Sequence, residues 1–163
     1  MITVAAVADR IGMQELLMNL AGRVDGDLDD EVFRAVIDEA DLSEFQEDMV
    51  AVATAGVARL QMAIDAATRL INGYVAKRYP NGLSPSQIDS SPLPDIALVL
   101  VKHELMVTTD EDTRNNHKAA MAQLRDISSG ALSLGADDPA KPSDARIVVG
   151  GGYSGFDWSG FGK

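Results

Sequence analysis

Between about residues 44 and 79, apolar side chains recur at helical spacing, and no other feature of the chain limits its fold so strongly. Met49, Ala53, Gly56, Leu60, Ala63, Ala67, Leu70 and Tyr74 repeat beside Val57, Ile64 and Ile71. The alternating three- and four-residue steps Val57, Leu60, Ile64, Ala67, Ile71, Tyr74 place one apolar stripe along a helix of roughly ten turns. A single helix cannot cover such a stripe, so apolar partners must. The expected fold is therefore all-α, a small helical bundle around one long helix. Tyr79-Pro80-Asn81-Gly82 closes that helix, because proline pushes its predecessor out of α geometry and Asn-Gly favours a turn.

Shorter helices flank it. Thr3 can cap a helix from Val4 to Ile11, which Gly12 interrupts before Met13 to Leu20 resumes the pattern with Leu16, Leu17 and Leu20. Residues 29–40 put Val32, Phe33, Val36, Ile37 and Ala40 on one side and acids on the other. A later helix begins within Ser91-Pro92-Leu93-Pro94-Asp95, where prolines suit a first turn and Asp95 complements the positive end of the dipole. Ile96 to Val101 is apolar all round, the mark of a buried segment. The last helix runs from Thr109 or Asp110 to Ser129, with Thr109 and Asp112 at capping-box spacing. His117, Ala120, Met121, Leu124 and Ile127 face inward, and Gly130 is the C-cap.

From Gly130 the character changes, since eight of the final 34 residues are glycine and no helical period survives. The chain thus divides into a helical domain, 1–130, with an acidic insertion at about 22–48, and an extended glycine-aromatic arm, 131–163. Arg146-Ile147-Val148-Val149 suits a short strand. Gly150-Gly151-Gly152 lacks the lysine-serine or lysine-threonine pair and the helix that would make it a phosphate loop. Tyr153, Phe156, Trp158 and Phe161 are separated by flexible residues and cannot bury themselves in a helical core. Ordering a glycine-rich chain costs about 1–2 kcal/mol per residue, so these rings, with Ile147, Val148 and Val149, are expected to anchor the arm on another molecule, the other reading being an arm packed back on its own domain.

Charge narrows the functions. The net charge is −11, and from Asp25 to Asp48 eleven acids face one base, Arg34. Such a surface repels nucleic acid, whose binding proteins neutralise phosphates with Lys and Arg. One reading is a solvated face that aids solubility; the other is a wall, carried by Asp25, Asp27, Asp29, Asp30 and Glu31, past which DNA slides without sticking. With no cysteine, disulfides, thiolate metal sites and cysteine nucleophiles are excluded. No uninterrupted apolar run approaches the roughly 18–20 residues of a membrane span, so no membrane partner is expected.

Catalytic chemistry finds little footing. His103 and His117 are the only histidines, fall on different expected helices, and belong to no metal-ligand spacing; His103-Glu104 lacks a second histidine. Asp110-Glu111-Asp112 lacks calcium-loop spacing and suits a helix N-terminus better. Glu104, within an apolar helix, is expected to pair with Arg69 or Arg114, and no serine sits in a nucleophile elbow. No catalytic residue, cofactor or metal is expected.

Three stretches carry a family resemblance: Ala63-Ile64-Asp65-Ala66-Ala67-Thr68-Arg69-Leu70-Ile71-Asn72-Gly73-Tyr74-Val75-Ala76-Lys77-Arg78-Tyr79-Pro80 with Leu83; Pro92-Leu93-Pro94-Asp95-Ile96-Ala97; and Ala119 to Gly135, ending Ser129-Gly130-Ala131-Leu132-Ser133-Leu134-Gly135. With Thr3 to Leu20, they resemble the Mu-like phage head-tail connector (adaptor) family. The acidic stretch and the glycine-aromatic ending depart from that pattern. The resemblance implies a non-enzymatic virion structural protein, made in the host cytoplasm and built into the neck. It also implies a homo-oligomeric ring, twelvefold, between the portal protein and a tail-completion or tail-terminator protein, through which DNA passes without specific binding. The charge block alone would suit a different class, a small acidic regulatory or DNA-mimicking binder.

Overall fold

The computed structural model describes residues 2–134, and in them seven helices and no strand. In chain order these are α1 (Val4–Ile11), α2 (Met13–Ala21), α3 (Asp30–Ile37), α4 (Glu47–Val75), α5 (Pro85–Asp89), α6 (Leu93–Leu105) and α7 (Glu111–Ser129). The all-α bundle around one long helix is the observed architecture. α4 is its axis: α3 packs on its N-terminal half, α6 and α7 on its inner face, and the α1–α2 hairpin closes one side. Ala53, Leu60, Ala63, Ile64, Ala67, Ile71 and Val75 bury the stripe that the sequence marked out. Leu70, expected on it, is 38% exposed, and Met62 is 60% exposed on the outer side. By length and composition alone α4 could cross a membrane; in this fold α3, α6 and α7 take its inner face.

Several boundaries move inward for identifiable reasons. Residues 42–45 form a turn in which the Phe45 amide donates to the Leu42 carbonyl at 3.2 Å, and α4 begins only at Glu47. At its other end the Arg78 and Tyr79 amides both donate to the Val75 carbonyl, tightening the chain into a turn before Pro80. α3 stops at Ile37 instead of residue 40 because Glu39 takes a left-handed conformation, φ 54°, and the Ala40 amide closes onto the Ala35 carbonyl at 2.9 Å. Ala40 is exposed as a result. α7 is capped by Asp110, whose carboxylate accepts from the Thr113 amide at 2.7 Å, and not by a Thr109–Asp112 box. Gly130 is the left-handed C-cap, φ 78°. α5 was not expected, although Ser84-Pro85-Ser86-Gln87 spells a capping box that the structure forms.

The acidic segment supplies part of the core. Val32 and Phe33 of α3 are 1% and 0% exposed, and Phe33 lies so close to α4 that a Cβ on Gly56 would stand 2.9 Å from its ring. Elsewhere polar contacts tie the ends of helices. The Arg23 guanidinium donates to the Leu105 and Met106 carbonyls at 3.3 and 2.8 Å, satisfying the last turn of α6. Arg10 pairs with Asp95 and Glu15 with Lys102, joining α1 and α2 to α6.

Candidate functional site

An apolar groove of about 610 Å³ opens beside the C-terminal end of α4. The C-terminal end of α4 forms its floor with Ile71 and Val75, and Tyr79 and Pro80 continue that wall through the closing turn. Leu83 and Ile88, around α5, face Leu93, Pro94 and Ala97 at the start of α6, while Ile2 and Ala6 of the α1 region complete the rim. The local sequence explains the opening. Pro80 and Pro92 end one helix and begin another without continuing either, so the α4–α6 connection stands away from the bundle and α5 spans it as a single capped turn. Arg10, Thr68, Asn72 and Asp89 are the polar members of the lining, and Arg10 is already engaged by Asp95. A volume of this size, with apolar walls and few polar groups, suits a site that buries inserted apolar side chains.

Titration behaviour points away from the groove. Asp110 is held below its ordinary value by the Thr113 hydroxyl and amide, and Asp41 by hydrogen bonds from the Ser43 amide and hydroxyl. Both are cap or turn carboxylates. His117 is pushed down by burial and, secondarily, by the charge of His103. The two rings, fourteen residues apart, stack with centroids 4.0 Å apart, a pairing of α6 with α7 that residue spacing did not foretell. No group of three or more His, Asp or Glu side chains among the described residues is arranged to hold a metal ion. Glu104 pairs with Arg59 of α4 at 3.4 Å, and not with Arg69 or Arg114.

The acids singled out in the sequence are exposed, but they do not all do the same thing. The Asp29 carboxylate caps α3, accepting from the Glu31 and Val32 amides at 2.9 and 3.1 Å, and Asp30 and Glu31 stand in that helix's first turn. Asp25 and Asp27 lie in the loop between α2 and α3, and Asp27 and Asp29 line a hollow of about 390 Å³ with Leu28, Asp48, Met49 and Val52. A structural duty at the start of α3 thus accounts for Asp29, while Asp25 and Asp27 add charge to the surface. The expected arm anchors Ile147, Val148, Val149, Tyr153, Phe156, Trp158 and Phe161 lie outside the described residues.

The family described as Bacteriophage Mu, Gp36 matches residues 2–149. No curated protein matches the chain, and no solved structure does. The match spans all seven helices and the groove.

Proposed function

Starting from the fact that the chain belongs to the bacteriophage Mu, Gp36 family, we propose that it is a structural head-to-tail connector (adaptor) subunit of a tailed bacteriophage. It works without catalysis, as one protomer of a ring in the virion neck beneath the portal, with a tail-completion or tail-terminator protein on its far side and the genome passing through. The observation that carries this reading is the groove. Asn72, Tyr79, Pro80, Leu83, Leu93 and Pro94, which belong to the stretches that resemble connectors, wall an open apolar cleft and not a cluster of reactive groups. Uncovered apolar surface of that kind marks a place where another polypeptide seats.

Two further features support it. The outer side of α4 exposes Ala51, Ala55, Ala58 and Met62 along one line, a low-charge surface suited to side-by-side packing of protomers. Asp25, Asp27, Asp30 and Glu31 leave exposed negative charge that keeps a passing polyanion from adhering. The arm, in this reading, grips the portal or a neighbouring subunit. A truncation ending near residue 135 keeps the described core intact, so it is expected to fold normally and to be missing from assembled virions; its normal incorporation would remove the arm from the mechanism. A DNA mimic, by contrast, would compete with DNA for a basic enzyme and would need its acidic face more than its helical core.

A further inference from the structure

We propose that the groove between α1, the end of α4 and the start of α6 is the seat of the glycine-aromatic arm of a second copy of this chain. This deepens the connector reading and rests on it.

The groove and the arm are complementary in chemistry. Its walls include Ile71, Val75, Leu83, Leu93 and Ala97, with Tyr79 as the one ring. The arm holds four of the eight aromatic residues of the whole chain within residues 153–161, set among glycine and serine. Rings are the side chains that gain most from entering apolar clefts, each burying about 150–250 Å². Small residues between them let the backbone lie close to a wall.

The place where the arm begins also matters. Leu134, the last described residue, is 4% exposed and belongs to the core. One turn earlier, Gly130 lies against the Arg78 guanidinium, where an added Cβ would fall 1.6 Å from Nη1. Arg78 adjoins Tyr79, a wall of the groove, so the arm starts beside the groove of its own protomer. Eighteen residues, 135–152, separate Leu134 from Tyr153, a spacer that can reach roughly 60 Å when extended. A spacer of that reach is long enough to carry the rings to the same cleft on an adjacent copy. Arms passed one way around a set of copies make the head-to-tail contact from which a closed ring is built.

The single tryptophan, Trp158, makes the test direct. One full-length copy carries Ala76→Arg, which blocks the groove at an exposed position, and keeps its arm. The other full-length copy keeps its groove and has Tyr153, Phe156, Trp158 and Phe161 all changed to serine. Leu83→Asp serves as a second blocking variant, and circular dichroism checks that each variant is folded. Mixing should move Trp158 emission to shorter wavelength, saturating at one second copy per first copy, with a matching heterodimer mass. No shift on mixing overturns the proposal. So does a wild-type chain that is monomeric by mass yet already emits at short wavelength, because its rings would then be covered within the same copy, and so does a short emission that ignores both blocking variants, because the rings would then be covered elsewhere. Portal binding read in parallel separates the two ideas. Portal binding without arm exchange refutes the groove assignment alone, and arm exchange without portal binding refutes the connector reading alone.

Discussion

Adding one methyl group at Gly56 should have opposite effects depending on what stands at position 33. In wild type, the new Cβ would meet the Phe33 ring at 2.9 Å and a Leu28 methyl at 3.1 Å. Phe33 is fully buried and cannot step aside without moving α3. Overpacking of this kind costs about 1–3 kcal/mol, while replacing a helical glycine with alanine returns about 1 kcal/mol, so Gly56→Ala should lose about 1 kcal/mol net. Phe33→Ala alone should lose about 3–5 kcal/mol, a large part of the 5–15 kcal/mol typical of a whole domain. With Phe33 gone the closest contact disappears, the Leu28 methyl can turn away, and Gly56→Ala should then stabilise by about 1 kcal/mol. The coupling between the two positions is about 2 kcal/mol. Urea unfolding followed by circular dichroism measures all four corners of the cycle, and Phe33→Leu substitutes where Phe33→Ala leaves too little folded protein. Strictly additive effects, with Gly56→Ala stabilising in both backgrounds, would mean that α3 does not lie on α4 as described.

Other consequences are simpler. Glu39 occupies a left-handed conformation, φ 54°, so Glu39→Gly should stabilise by about 0.5–1 kcal/mol in the same assay. The mirror-image change, Gly130→Ala at φ 78°, must also displace Arg78 and should lose about 1 kcal/mol or more. Arg23→Ala removes the donors from the last carbonyls of α6 and should cost about 1 kcal/mol, seen as faster amide exchange at the C-terminal end of that helix. His117 is held below its ordinary value of 6.5 in the folded chain, so the unfolded chain binds the proton first. Stability should therefore fall as pH drops below about 6.5 and level off once folded His117 has itself titrated. His117→Asn should flatten that part of the profile, and an unchanged slope would remove the stacked pair from the account of stability.

The sequence was most legible where one physical signal acted alone. α1, α4, α6 and α7 follow from apolar period and from caps such as Thr3 and Gly130, because a long buried stripe has few ways to be satisfied. Local competition blurred the boundaries: Glu39 ends α3 in a conformation usually left to glycine, and Asp110 outcompetes Thr109 as a cap. The groove is not legible because its lining joins residues 2–10 to residues 68–97 across the bundle, and only the prolines at 80, 92 and 94 hint at an irregular connection there. The capping box Ser84-x-x-Gln87 is legible as a local motif, whereas the His103–His117 stack and the Glu104–Arg59 pair depend on helix packing that no spacing reveals. The acidic run had two meanings superposed, since Asp29 caps a helix whose other face carries Phe33 into the core.

The most direct measurement is the mass and shape of the purified full-length protein alone and with the portal protein of the same phage, by native mass spectrometry and direct imaging. A connector should join the portal as a closed ring of equivalent subunits on the portal axis. A protein that stays monomeric in both samples and leaves the portal bare is not a connector.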